Sequence, residues 1–233
     1  VISVVIPTLN EGSYLEKTMR ALKDQTYQDF EVIVSDSKSD DNTQEVAKKY
    51  GAKLVLSDRL GPAVGRNRGA AVAKGDILLV LDADTVPSKR MLEGIDKIMK
   101  ERKDVVGGTC AFYPSEAGIV GWLVFALANG AARLMILGGT PQDPGCCGFY
   151  RREVFEKLGG IREDLKLNET QDLAIRTRPY GKFVYIKVPG FTSLRRYKKD
   201  GYMKTILIYI KAAVLYFNSK QVPKEKFVFE PVR

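Results

Sequence analysis

The sequence predicts an α/β fold: a mostly parallel sheet flanked by helices, followed by a less regular second half. Three observations carry that prediction. Strand-length apolar stretches alternate with helix-length amphipathic ones through about the first hundred residues, and a β-α-β-α rhythm of this kind closes a parallel sheet through right-handed crossovers. The stretch Ile77-Leu78-Leu79-Val80-Leu81-Asp82-Ala83-Asp84 is apolar along its length and then ends in two carboxylates. A strand apolar on both faces is covered on both faces, and in open α/β sheets ligands bind just outside the carboxyl ends of strands. Finally, no internal repeat, low-complexity tract or heptad pattern offers another architecture.

The elements follow in order. Val1 to Ile6 is an apolar strand, and Tyr14, Leu15, Met19 and Leu22 recur at helical spacing between Ser13 and Asp24. Phe30 to Ser35 reads as the second strand. Ser39 or Asp40 can cap a helix running to Tyr50. Lys53 to Leu56 is the third strand, Pro62 to Ala73 a helix, and Asp76 to Leu81 the fourth strand. Pro87 and Ser88 signal the start of a helix that reaches Glu101. Beyond it, Val105 to Tyr113 is a strand, and Gly118 to Leu137 is apolar over nearly the length of a membrane span. Asn129 and Arg133 interrupt that stretch, which favours a helix lying against the site and touching lipid over one crossing a bilayer. Gly138 to Gly148 is punctuated by glycine and proline, as a mobile lid would be. Tyr202 to Phe217 is an apolar helix carrying Lys204 and Lys211.

These elements describe one domain over residues 1–233. It divides into residues 1–104, which carry the alternating pattern, 105–193, which are less regular, and 194–233, a basic extension with an apolar helix.

Composition limits the chemistry. The 233 residues contain no histidine, which excludes Ser-His-Asp hydrolysis, histidine relays and histidine metal sites. Cys110, Cys146 and Cys147 form neither a disulfide framework nor a zinc pattern, which fits a reducing, cytoplasmic compartment. Lysine and arginine outnumber acids 37 to 28, a formal charge of +9. From Arg176 to Lys226 the only acids are Asp200 and Glu225, so this end favours anionic partners. The run Arg195-Arg196-Tyr197-Lys198-Lys199 beside an apolar helix fits peripheral contact with the inner face of a membrane. A solvated approach to a core helix fits it equally. No nucleic-acid reading motif accompanies the basic end.

Four strand-end features can build one crevice: Pro7-Thr8-Leu9-Asn10-Glu11 after the first strand, Asp36-Ser37-Lys38-Ser39-Asp40-Asp41-Asn42-Thr43 after the second, Gly65-Arg66-Asn67-Arg68-Gly69 before the fourth, and Asp82-Ala83-Asp84 at its end. Alternate residues of a strand point the same way, so Asp82 and Asp84 can converge on one hard cation. No GxGxxG follows the first strand, which disfavours a dinucleotide-binding Rossmann domain.

In the order and spacing of these motifs the chain resembles the family 2 glycosyltransferases of GT-A fold. The likeness continues through Phe149-Tyr150-Arg151-Arg152-Glu153-Val154-Phe155 and Gly159-Gly160 to the acidic segment near Glu169. The resemblance implies a metal-dependent, inverting transfer of a sugar from a UDP- or GDP-sugar to a carbohydrate or lipid-linked acceptor. It further implies that Thr8 and Glu11 contact the nucleoside, that Asp36 bonds the base, and that Arg66 and Asn67 line the nucleotide pocket. Asp82 would face the ribose or the metal, and Asp84 would hold the Mg²⁺ or Mn²⁺ that bridges the diphosphate. Asp36 and Asp40 are also common turn and cap residues.

One departure stands out. In Asn168-Glu169-Thr170-Gln171-Asp172-Leu173, threonine stands where members of the family often carry the catalytic base. Glu169 and Asp172 are the carboxylates available instead. Asn168 with Gln171 also matches a capping box, and Asp172 can pair with Arg176 four residues on. A lipid-phosphate acceptor, as in the polyprenyl-phosphate sugar synthases, would need no base. The same residues also admit a donor-binding subunit that has lost catalysis, and a sugar nucleotidyltransferase is disfavoured by the absence of a glycine-rich loop after the first strand.

Overall fold

The computed structural model describes residues 1–116, 118–165 and 167–219, so the last part of the expected 194–233 extension lies outside the described residues. One sheet of eight strands runs through the described residues. In chain order the strands are β1 (Ile2–Thr8), β2 (Phe30–Asp36), β3 (Lys53–Leu56), β4 (Ile77–Leu81), β5 (Thr85–Pro87), β6 (Val105–Pro114), β7 (Cys147–Arg151) and β8 (Lys182–Thr192). Across the sheet the order is β3-β2-β1-β4-β7-β6-β8-β5. The β3-to-β4 half is parallel, β7 runs antiparallel to both β4 and β6, β6 and β8 are parallel, and β5 is antiparallel to β8. The sheet is therefore mixed, with its parallel half where the alternating pattern placed it.

The helices are α1 (Gly12–Lys23), α2 (Thr43–Lys49), α3 (Pro62–Ala71), α4 (Met91–Glu101), α5 (Ile119–Leu137), α6 (Arg152–Lys157), α7 (Glu169–Arg176), α8 (Arg195–Asp200) and α9 (Tyr202–Ser219). Helices cover both faces of the sheet. On one, Leu15, Met19 and Leu22 of α1 and Leu92, Ile95 and Met99 of α4 join Val4, Ile6, Leu79 and Leu81 in one core. On the other, Ala63 and Ala70 of α3, Phe155 of α6 and Leu173 of α7 meet Leu78, Tyr150 and Phe183. Adjacent residues Leu78 and Leu79 thus serve opposite cores, which is why β4 has to be apolar throughout.

Several boundaries differ from the sequence reading. The first strand extends to Thr8, whose backbone pairs with Asp36 of β2. The helix expected from Ser88 begins at Met91, because Thr85–Pro87 joins the sheet and the Ser88 N–H donates to the Pro189 carbonyl at 2.9 Å. Neither Ser39 nor Asp40 caps α2. Asp41 does so, accepting from the Thr43 N–H at 3.0 Å and, with its other oxygen, from the first N–H of α1 at Gly12. Two helix starts therefore share one carboxylate, which locks the loops after β1 and β2 together.

Close packing sets the position of α3. A Cβ on Gly69 would fall 2.4 Å from Val5 Cγ1, and one on Gly65 2.9 Å from Pro7 Cβ. Glycine at both places lets the helix lie directly on β1, and Arg66 is carried to the strand ends as a result.

Helix α5 lies along the domain and does not leave it. Asn129 Nδ2 donates to the carbonyls of Phe112 (2.6 Å) and Phe125 (2.8 Å), while its Oδ1 accepts from the Phe112 N–H (3.1 Å) and the Tyr185 hydroxyl (2.9 Å). This polar interruption of the apolar stretch is a clamp onto β6. The opposite face is bare: Ile119, Leu127, Leu134 and Leu137 are each more than 70% exposed. By length and composition α5 meets the requirement for a membrane span, yet both its ends lead back into strands of the same sheet.

Replacing Asn129 with leucine should strand the Phe112 backbone groups in a buried position and cost about 2–4 kcal/mol. Chemical denaturation would read this as a lower midpoint with an unchanged slope; an unaltered midpoint would show that the clamp contributes nothing.

Candidate active site

The crevice is assembled from strand ends. At the β2 end, Asp36 is fully buried and accepts from the Thr8 hydroxyl (2.9 Å), the Ser39 N–H (3.0 Å), the Ser39 hydroxyl and Gln44 Nε2 (2.9 Å). Thr8 and Asp36 are thus brought together, with both oxygens of Asp36 already taken by these donors. Asn10, at φ 57, accepts from the Asp40 N–H at 2.8 Å and ties the two loops across their tips.

Deeper in, two guanidiniums and four carboxylates interlock. Arg66, 4% exposed, donates to Asp82 Oδ1 (2.8 Å), Glu169 Oε1 (2.6 Å) and the Gly145 carbonyl (3.1 Å). Its buried Nε has no partner among the described residues. Arg195, the first residue of α8, grips both oxygens of Glu11 (2.6 and 2.8 Å), reaches Asp84 Oδ2 at 3.1 Å and stacks 4.7 Å from the centroid of the Tyr14 ring. Burial, reinforced by the neighbouring Asp82 and only partly opposed by Arg195, pushes the Asp84 carboxyl up to about 7. Burial likewise raises Glu11, with Arg195 acting against it. With all four carboxylates ionised against two arginines, the cluster carries a formal charge of −2.

That balance fits one divalent cation. Asp82 and Asp84 supply the hard oxygens such an ion takes. Among the described residues no three histidine, cysteine or acidic side chains converge on one point. An ion held here would draw its other ligands from water and phosphate, as Mg²⁺ commonly does.

Other expected residues fall elsewhere. Asn67 donates to the Ile161 carbonyl (2.8 Å) and Glu163 (3.0 Å) and accepts from the Ile161 N–H (2.9 Å). It fastens the segment before α7 to α3 and has no amide group left for a nucleotide. Asp172 commits one oxygen to Arg176 (2.6 Å) and the other to the Tyr216 hydroxyl (2.8 Å), so it secures α9 to α7 and is unsuited to act as a base. Glu169 lies in the crevice, joined to Asp82 through Arg66.

The capping box over Asn168 and Gln171 does not form. Asn168 is left-handed (φ 62) with no side-chain cap, and Gln171 reaches the Pro141 carbonyl (2.8 Å) and the Asp143 N–H (2.9 Å). Those bonds also replace the expected mobile lid. The segment from Gly138 is sewn to α7 by Gln171 and to Arg66 by Gly145, and the Asp82 N–H donates to Cys146 at 3.2 Å. Cys147 and Gly148 already belong to β7. The segment is a wall.

Two site features were invisible in the sequence. Asp143, a buried residue of that wall, accepts from the Tyr150 hydroxyl and from the Gly145 N–H at 2.8 Å, and burial raises its carboxyl. A cleft of about 420 Å³ opens beside Asp84, bounded by Tyr14, Lys17, Val86, Ser115, Glu116 and Phe191. The only hint of the first was an aspartate inside a glycine-rich loop; the second needs β5 and β8, neither of which was assigned. All three cysteines are buried and free.

Comparison with known proteins agrees with this architecture. The model of glycosyl transferase family 2 matches residues 3–159. The glycosyltransferase AglE of Haloferax volcanii is 35% identical over 124 residues, 49% of this chain and 41% of its own length. Glycosyltransferase GlyG of Streptococcus pneumoniae is 32% identical over 124 residues, 50% of this chain and 41% of its own. The chain therefore spans about two fifths of these curated relatives. Among solved structures, glucosyl-3-phosphoglycerate synthase from Mycobacterium tuberculosis, in complex with Mn²⁺, UDP and glucosyl-3-phosphoglycerate, superposes with a TM-score of 0.66 at 22% identity, covering 96% of this chain and 81% of that one. The mannosyltransferase PcManGT from Pyrobaculum calidifontis, in complex with GDP-Man and Mn²⁺, gives 0.64 at 21% identity, covering 90% and 64%. Since the family match takes in β1 to β7 together with the Asp82-Ala83-Asp84 step and Arg66, this chain belongs to glycosyltransferase family 2 and has its GT-A fold.

Proposed function

We propose that this chain transfers a sugar from a UDP- or GDP-sugar to an acceptor with inversion, using Mg²⁺ or Mn²⁺ held by Asp82 and Asp84. The observation that carries the reading is the cluster at the end of β4, where Asp82 and Asp84, two residues apart, belong to four carboxylates that share only two arginines, Arg66 and Arg195. The Mn²⁺ complexes of the two structural neighbours support it. When bound, the ion would neutralise charge growing on the leaving diphosphate.

The chain's own residues do the rest. Asp36, buried with both oxygens filled by Thr8, Ser39 and Gln44, braces the loops after β1 and β2 that would border the base of the nucleotide. Glu11 and Arg195 border the ribose and diphosphate. Arg66 holds Asp82 in place from beneath and at the same time positions Glu169. An acceptor hydroxyl attacks the anomeric carbon opposite the diphosphate, and Glu169 takes its proton. Asp172 has a supporting role, keeping α7 and α9 together. Asn67 fastens the segment before α7 to α3.

A second reading concerns the acceptor. The cleft beside Asp84 runs through Ser115 and Glu116 toward the exposed start of α5. An amphiphilic acceptor with an ionised phosphate would suit that setting, and it needs no base. The bare faces of α5 and of α9, where Met203, Leu207 and Ile210 are exposed, together with Lys198, Lys199 and Lys204, support peripheral contact with an anionic membrane. A cytoplasmic protein resting on the inner membrane face is the corresponding location.

Ligand-dependent stability, turnover of variants and vesicle flotation test this reading. In a thermal-shift screen, one nucleotide-sugar class should stabilise the protein only with Mn²⁺. Asp84→Ala should lose that shift and at least about 100-fold in turnover, while Glu169→Gln should keep the shift yet lose about 10²–10⁴-fold in kcat with a hydroxyl acceptor. Stabilisation of Asp84→Ala equal to wild type would refute the metal assignment, and unchanged turnover in Glu169→Gln would point to an acceptor already ionised. For the membrane, flotation with anionic vesicles should recover the protein, and replacing Lys199 and Lys204 with glutamine should weaken partitioning about tenfold or more. Equal recovery with neutral vesicles would contradict the electrostatic part.

A further inference from the structure

The two carboxylates at the end of β4 are held differently, and the difference has a consequence for how a cation reaches them. Arg66, the partner of Asp82, is itself fixed by Glu169 and the Gly145 carbonyl and is almost completely buried. Arg195, the partner of Asp84, sits at the rim: its side chain is 21% exposed, and it rests on the Tyr14 ring at the head of a helix of six residues. Its position follows from the sheet. Thr85 of β5 pairs with Thr192 of β8, so the residue after Asp84 is tied to the strand that Arg195 shortly follows.

We propose that Arg195 is a latch: it holds the Asp84 carboxylate against uptake of a divalent cation until a nucleoside diphosphate arrives, so that metal and diphosphate bind cooperatively. This rests on the reading of the site as a metal–diphosphate centre. A guanidinium 3.1 Å from Asp84 Oδ2 occupies the ground a cation would take, and two positive centres sharing one largely buried carboxylate repel strongly. Without an added anion, the ion must therefore displace Arg195 or bind beside it. A diphosphate changes the balance. Arg195 has five N–H donors and holds Glu11 and Asp84 by three contacts. It can keep Glu11 as its pivot, turn its remaining donors to the phosphates and release Asp84 to the ion. Linkage then requires each ligand to strengthen the other.

The test measures Mn²⁺ binding to the full chain by loss of the free-ion paramagnetic resonance signal, alone and with UDP or GDP. In the wild type, Mn²⁺ alone should bind weakly, and one of the two nucleotides should tighten it about tenfold or more. Arg195→Gln should bind Mn²⁺ alone about tenfold tighter than wild type and lose most of the enhancement. Arg195→Lys, which keeps the charge, should stay close to wild type. Tyr14→Leu keeps every charge of the cluster and removes only the ring beneath the guanidinium. It should tighten Mn²⁺ alone by about threefold, so the latch is tested even where Arg195→Gln melts early by circular dichroism. Wild-type cooperativity with no gain in either Arg195→Gln or Tyr14→Leu would overturn the latch and leave the metal–diphosphate reading standing. Failure of every protein to bind Mn²⁺ with either nucleotide would overturn both.

Discussion

A single buried guanidinium joins the two halves of this site. Arg66 enters the strand ends because Gly65 and Gly69 let α3 lie on β1, and it then bonds Asp82 from the first half and Glu169 and Gly145 from the second. A cation this deeply buried persists only where carboxylates and carbonyls surround it, since losing one partner leaves an uncompensated charge. Arginine suits the place better than lysine because a planar fork serves several acceptors in fixed directions. The wall from Gly138 to Cys146, the head of α7 and the end of β4 all take their relative positions from it.

The rest of the cluster follows from charge. Arg66 and Arg195 are shared among four carboxylates, and burial of Asp84 makes its ionised form costly. The free protein thus carries a built-in demand for positive charge next to a cleft, with a rigid side at Asp82 and a yielding side at Asp84. Structure and function meet at this point: the fold keeps Asp82 oriented whatever is bound, whereas Asp84, the more buried of the two, exchanges its rim partner Arg195 for the ion.

The parallel half of the sheet was legible because β4 is a continuous apolar run, β1 to β3 are mostly apolar, and α1 shows its helical spacing. The loops after β1 and β2 and the step at Asp82-Ala83-Asp84 were legible for the same reason: their polar residues follow strands whose ends were clear. What the sequence hid were contacts of long separation. Strand β8 carries Lys182, Lys187 and Pro189 and alternates irregularly between buried and part-exposed positions, so it did not read as a strand. Without it, the bond from Arg195 back to Asp84 and Glu11, 184 residues from Glu11, had no visible path. Asn67 and Gln171 matched local motifs, yet each is claimed by a distant partner, Ile161 and Pro141 respectively, whereas Asp172 keeps its expected pairing with Arg176 and adds Tyr216. Local propensity at these positions yielded to tertiary hydrogen bonding.

The central claim is that this cluster is a metal–diphosphate site. Crystals grown with Mn²⁺ and UDP or GDP, with data collected at the manganese absorption edge, test it most directly. The account predicts one anomalous peak within about 2.0–2.4 Å of a carboxylate oxygen of Asp84 or Asp82 and of the diphosphate. A bound nucleotide whose diphosphate contacts only Arg66 and Arg195, with no manganese at either aspartate, would contradict it.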